Sequence, residues 1–418
     1  MKRLATIMLL LTGIATLSAQ PRPELRIRQI TQGPNNHFFG YIGHVQNIPW
    51  NGNGRYILSL ETTFQDRMPT EKDVANIVLI DTQNDYNLRV VDQSRGWNPQ
   101  QGSMMYWNPE APDTQFFFND RDRSTGKVFC VLYDIELGKR IREYRFEDSP
   151  VGNGGVAQNG GYFLGINYAR MARLRLVTGY PETWDWTTGV KHPKDDGVFK
   201  IDVNTGQRIL LASFHKIAGI LNSNGYNVDD TALFINHTLW NREGDRIFFF
   251  ARGGWSGNPG TNTNRPFVMH ADGSNLTMLK EHIGGHPEWD YGHRLIGSLN
   301  KQQIIYDADR QLVVGKLGNS DIFPNPEGDV ALSPNGEWLV NGFKRKSDKS
   351  NNYVFYRRAD GANVRSRGFN IGDWLSGDLR IDGAPTWNRT SDAVIVMALD
   401  EKKAESRQMF LIEVISKD

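Results

Sequence analysis

Residues 235–241 read INHTLWN, and residues 242–252 continue REGDRIFFFAR. The second segment holds a short apolar run, Ile247–Phe250, launched from a charged turn containing Gly244. The first ends on a Trp-Asn pair with a histidine three residues before the tryptophan. The same arrangement of turn and apolar run recurs along the chain. Trp50-Asn51-Gly52-Asn53-Gly54 precedes Tyr56–Leu60, Leu332-Ser333-Pro334-Asn335-Gly336 precedes Trp338–Val340, and Trp387-Asn388-Arg389-Thr390-Ser391-Asp392 precedes Ala393–Met397. Trp107-Asn108-Pro109, Trp289-Asp290-Tyr291-Gly292 and Ala157-Gln158-Asn159-Gly160-Gly161 are looser copies.

Taking the tryptophan position as anchor gives residues 50, 107, 157, 240, 289, 332 and 387, with gaps of 57, 50, 83, 49, 43 and 55. Short strands between Gly, Asn, Asp and Pro clusters, repeated at this spacing, predict the four-stranded blades of an all-β propeller. Helical periodicity is almost absent. Second turns such as Ile201-Asp202-Val203-Asn204-Thr205-Gly206 and Arg358-Ala359-Asp360-Gly361 supply the remaining hairpins, with Asp and Asn bonding the turn and Gly taking positive φ. Seven anchors predict seven blades, with Glu24–Ile30 as the outer strand of the last one, closing the ring and hiding its edges. The gap of 83 places an insertion near 168–197, which contains Gly179-Tyr180-Pro181, Trp184 and Trp186.

The chain begins MKRLATIMLLLTGIATLSAQ. Lys2 and Arg3 precede an apolar stretch from Leu4 to about Ile14, and Leu17-Ser18-Ala19 offers small residues for cleavage. These features predict a signal peptide over 1–19 and a single propeller domain over 20–418, exported to the periplasm or beyond. No other segment approaches the length of a membrane span. Cys130 is the only cysteine, so no intramolecular disulfide forms, and stability must come from the core. A formal net charge of +1 provides no global field for nucleic acid.

Counting three residues before each anchor gives Asn47, Met104, Gly154, His237, His286, Asp329 and Ala384. On the innermost strands of a propeller these positions ring the central channel. His237, His286 and Asp329 are consecutive around it, and two imidazoles with a carboxylate suit either a divalent metal or an acid/base pair. The alternative is that they are polar plugs of a wet channel. Arg252 and Arg170, each just after an apolar strand, are candidate bidentate clamps for a carboxylate. His37 is a candidate for lining the same mouth, and Trp184 and Trp186 for stacking a sugar. His192, His215, His270, His282 and His293 have no comparable register.

The turn Leu332–Trp338 and the segment Ala271-Asp272-Gly273-Ser274-Asn275 resemble the propeller repeats of TolB-like proteins. Ile235-Asn236-His237, Gly284-Gly285-His286-Pro287-Glu288-Trp289 and Gly328-Asp329 resemble the matching blades of oligogalacturonate lyases. That resemblance implies a seven-bladed propeller that cleaves pectic fragments by β-elimination, with manganese or a similar divalent metal at the channel mouth. It places His237 at the base and His286 at a metal ligand. The blade from which that family draws a glutamine and two histidines carries Gly328-Asp329-Val330-Ala331-Leu332 here, leaving Asp329 as the remaining ligand candidate. The expected function is therefore a secreted lyase acting on a uronate-containing oligosaccharide or polysaccharide, with no nucleic-acid partner. The rival is a non-catalytic propeller binding glycan or protein. A glycoside hydrolase would need paired carboxylates across the site, and only Asp329 is suitably placed.

Overall fold

The computed structural model describes residues 22–40, 47–326 and 328–416. The expected signal peptide lies outside the described residues. Within them the chain is an all-β propeller. Five antiparallel sheets have four strands each, and a sixth has nine. One four-stranded sheet, for example, runs outward through Leu233–Trp240, Arg246–Gly253, Thr263–His270 and Thr277–Met278. In the nine-stranded sheet, Gly284–Trp289 and Asp329–Leu332 meet through a single parallel pair, His286 with Asp329. The strand Pro23–Gln29 pairs antiparallel with Arg407–Ser416, so that Ile27 faces Ile412. No helix among the described residues is long and apolar enough to cross a membrane.

Burial explains the pattern of the strands. Each inner pair of strands is covered on both faces by neighbouring sheets, so its residues read as continuous apolar runs. Ile247, Phe248, Phe249 and Phe250 are all buried, and Phe249 stacks on Phe267 with ring centres 5.5 Å apart. Between sheets, Phe117 lies 5.9 Å from Phe163, and Phe355 lies 5.9 Å from Trp387. Outer strands alternate or turn polar, as in Lys139–Tyr144.

The Trp-Asn pairs do two separate jobs. The indole N–H of four anchor tryptophans reaches back to a carbonyl of the preceding sheet: Trp107 to Pro49 at 2.7 Å, Trp240 to Gly155 at 3.2 Å, Trp289 to Leu239 at 3.0 Å and Trp387 to Ala331 at 3.0 Å. A buried indole needs such an acceptor. The asparagine closes its own turn, since Asn241 Oδ1 accepts the amides of Asp245 and Arg246. Asn388 does the same for Asp392 and Ala393. The arginines that follow extend the stapling. Arg242 donates to the Ser333 and Pro334 carbonyls, and Arg389 to those of Trp50 and Asn51.

Between the strands Tyr162–Ile166 and Gly197–Asp202 lies the helix Tyr168–Leu174, started by the Asn167 side chain accepting the Arg170 amide. Its neighbour Phe214–Ser223 is capped by Ser213 in the same way.

Candidate functional site

The inner strands are not regular at the predicted ring level. The register of Leu233–Trp240 slips between Asn236 and Leu239, and that of Gly284–Trp289 slips between Gly284 and Glu288. Three of the ring residues themselves, Met104, His237 and Ala384, sit at positive φ of 54°, 56° and 37°. Left-handed backbone is uncommon for residues with a Cβ, and bulges of this kind re-aim side chains.

The re-aiming brings His237 and His286 together, with ring centres 4.9 Å apart. His286 Nδ1 pairs with Asp329 Oδ1, and Asp329 Oδ2 accepts the Ala384 amide at 2.8 Å. The three residues picked out by their offset therefore form one row across adjacent inner strands, with Ala384 at its end. Burial alone pushes the Asp329 carboxyl upward, but His286 and the Ala384 amide outweigh this and hold it below the usual carboxylate range. The carboxylate fixes the imidazole of His286, leaving its Nε2 unspent by that pair.

His237 is buried, and its Nδ1 has no hydrogen-bond partner among the described residues. Burial, followed by the positive groups His286, Arg252, Arg175 and Arg380, holds its pKa well below that of an ordinary histidine, so the ring is neutral. Its backbone amide is spent on Asn236 Oδ1, which also accepts Gln101 Nε2.

Around this row lies a group of cations. Arg252 is 7% exposed and donates Nε to Asn264 Oδ1 at 2.9 Å; its two terminal nitrogens have no hydrogen bond among the described residues. Its guanidinium sits 4.6 Å from the Phe250 ring centre and 5.1 Å from that of Trp255. Arg175 lies 4.2 Å over the same Trp255 ring, and its buried Nε lacks a partner. Burial, with Arg175 and Arg380, pushes Arg252 down to about 9. Burial and Arg380 push Arg175 down to about 10. Arg380 is tied to Asp382 Oδ1 at 3.0 Å, and Lys344 meets the same oxygen at 2.7 Å.

A loop crosses the mouth. Asn98 Nδ2 donates to the Gly179 carbonyl, Gln100 Nε2 to the Arg380 carbonyl and Gln101 to Asn236, while Arg407 holds the Pro99 carbonyl. Gly40 permits its close approach, since a Cβ there would lie 2.6 Å from the Gly102 amide nitrogen.

Four sequence candidates fall elsewhere. Arg170 is no carboxylate clamp. It is 1% exposed, and its donors are spent on the Leu233, Val190 and Lys191 carbonyls and the Thr187 hydroxyl. It pins the insertion to an inner strand, stacked 4.5 Å over Phe214. His37 does not line the mouth. It is 1% exposed, with Nδ1 on Gln408 Oε1 at 3.0 Å and Nε2 on Glu61 Oε2 at 3.1 Å. Gln408 Nε2 donates to the Asn35 carbonyl, so its Oε1 is the atom that accepts from His37 Nδ1. The pair seals the first sheet to the C-terminal one. Trp184 is half exposed against the Gly126–Lys127 hairpin, 5.2 Å from the Lys127 ammonium, and has no tie to the histidine row. Trp186 is partly buried against the core.

Arg175, Arg380 and Asp382 were not singled out by the sequence, because they lie in irregular connections without a repeat register. His282 has no repeat register either, yet its ring lies 5.7 Å from Phe250, with His237 at 6.1 Å from the same ring. Its signal is the spacing of four to His286.

The row leaves two nitrogens for a metal, His286 Nε2 and His237 Nδ1, short of the three protein ligands such sites use. His286 Nδ1 and Asp329 Oδ1 are spent on each other, Asp329 Oδ2 is spent on an amide, and three guanidinium groups act on His237. Among the described residues no three His, Cys, Asp or Glu side chains converge as ligands.

No family model and no curated protein matches the chain. Among solved structures, the chain is similar to the β-propeller domain of Cps50 (Swd1) from Myceliophteria thermophila. That match has 13% identity and a TM-score of 0.46, covering 92% of this chain and 100% of the other. It is also similar to hydrazine synthase of Kuenenia stuttgartiensis at 11% identity and a TM-score of 0.42, covering 76% and 82% of the two chains.

Proposed function

We propose that this chain is a secreted seven-bladed propeller whose channel mouth cleaves an acidic oligosaccharide by β-elimination. The nine-stranded sheet counts as two blades joined at His286 and Asp329, and Pro23–Gln29 completes the last blade. The observation that carries the reading is the oriented His286–Asp329 pair beside the buried, carboxylate-free Arg252.

In a uronate the C5 hydrogen is acidified by the adjacent carboxylate, provided that its charge is neutralised as enolate character develops. Arg252 supplies that neutralisation through its two unspent nitrogens. His286 Nε2, with Nδ1 held by Asp329, takes the C5 proton. The C5–H electrons form the C4–C5 double bond, the C4–O bond breaks, and the departing oxygen takes a proton from water. The role of base thus moves from His237 to His286. His237 is a buried neutral ring pressed by cations, and so a weak base, whereas His286 has a carboxylate partner and 23% side-chain exposure.

The test is the appearance of unsaturated-uronate ultraviolet absorbance with digalacturonate, polygalacturonate, alginate and glucuronan. A rise with one of them supports the reading. Saturable binding without product would favour the non-catalytic platform, a reading supported by the loop Asn98–Gly102 lying across the mouth. Absence of both binding and product sinks the proposal.

A further inference from the structure

We infer that Arg175, Arg252 and Arg380 form one anion site that takes the place of a divalent cation at this mouth, so that acidic ligands bind without metal. The inference rests on the reading above only in taking the ligand's charged group to be a carboxylate.

Arg252 is more than nine-tenths buried and keeps two terminal nitrogens unbonded, with no carboxylate against it. A buried cation without a partner is unfavourable, and an incoming anion removes the mismatch. Arg175 and Arg252 share the Trp255 indole, at 4.2 and 5.1 Å from its centre. Arg380 is immobilised from both ends, by Asp382 on its side chain and by Gln100 on its carbonyl. Arg175 and Arg380 each disfavour the charge of Arg252, as neighbouring cations do. Unsatisfied buried nitrogens here include Arg175 Nε, the Trp255 indole, Asn236 Nδ2 and His237 Nδ1. A cluster rich in donors selects an anion over a cation.

The experiment uses chelator-treated full-length protein in titration calorimetry with three probes: digalacturonate, inorganic sulfate and Mn²⁺. The inference expects digalacturonate or sulfate to bind equally with and without chelator. It expects Arg252→Gln to weaken that binding by at least about tenfold, as loss of a charge-assisted pair does. Arg380→Gln, at a more exposed residue, gives the same direction if Arg252→Gln fails to fold. Sulfate binding without digalacturonate binding supports the anion site and identifies a free anion, not a glycan, as its ligand. If anions bind in this way but no unsaturated product forms, the lyase reading fails and the anion site stands. If digalacturonate binds only when Mn²⁺ is present, or if both variants retain full affinity, the inference is overturned.

Discussion

His286 meets Asp329 across the single parallel pair that joins two inner strands, imidazole Nδ1 to carboxylate Oδ1. The contact links residues 43 positions apart and leaves Nε2 as the basic nitrogen. In elimination assays His286→Ala should lower turnover by about 10²–10⁴, the usual worth of a general base, with KM little changed. Asp329→Asn should move in the same direction, because the amide no longer fixes the productive tautomer. If His237→Ala abolishes turnover and His286→Ala leaves it intact, the base is His237.

The His37–Glu61 pair predicts an acid-sensitive seam. Burial raises the Glu61 carboxyl, but bonds from Asn76, Asn35 and His37 overcome this and hold it below its ordinary value of 4.5. A carboxylate whose folded pKa is depressed binds fewer protons folded than unfolded. Its stabilisation is therefore present above the ordinary value and is lost as pH falls through the folded one. Glu61→Gln should lower the melting temperature at neutral pH, and the gap from wild type should shrink on acidification below that range. A gap independent of pH would show that the pair contributes no linkage.

Trp240→Phe removes the indole donor while retaining most of the ring. The Gly155 carbonyl, 3.2 Å away, then loses its partner in a buried seam. The expected cost is about 1–2 kcal/mol in denaturant unfolding. Trp289→Phe should cost a similar amount, because its bond to Leu239 is the same staple one sheet on. No change in either would mean that the indoles act by volume alone.

Arg170→Met should detach the insertion. Four acceptors lose their donor, among them the inner-strand Leu233 carbonyl. A loss of about 3 kcal/mol is expected, since buried polar groups are left unpaired. Limited proteolysis should then cut between 183 and 196 before the rest of the chain. Arg170→Lys should not restore resistance, because an ammonium cannot span the same fan of carbonyls.

Trp184→Ala should leave ligand affinity unchanged, with a surface-sized effect on stability. Its ring is 42% exposed and packs with Lys127, apart from the arginine group. A marked loss of affinity in titration would show that the glycan reaches this hairpin.

The propeller architecture was determined by the sequence itself, because its signals are local. Trp240 and Asn241 announce a turn through side chains that bond within a few residues or to the adjoining sheet, and Ile247–Phe250 is apolar throughout because both faces are covered. The same periodicity picked out His237, His286 and Asp329, since a fixed offset from a repeated turn selects one level of the inner strands. Tertiary structure alone decided what each group meets. Arg170 and Arg252 both follow apolar strands, yet one meets carbonyls contributed by its own insertion and the other an aromatic wall shared with Arg175. His37 looked like a mouth residue until the chain brought Gln408 to it from 371 positions away. Hydrogen-bond satisfaction and charge compensation depend on such distant neighbours, which strand periodicity does not encode.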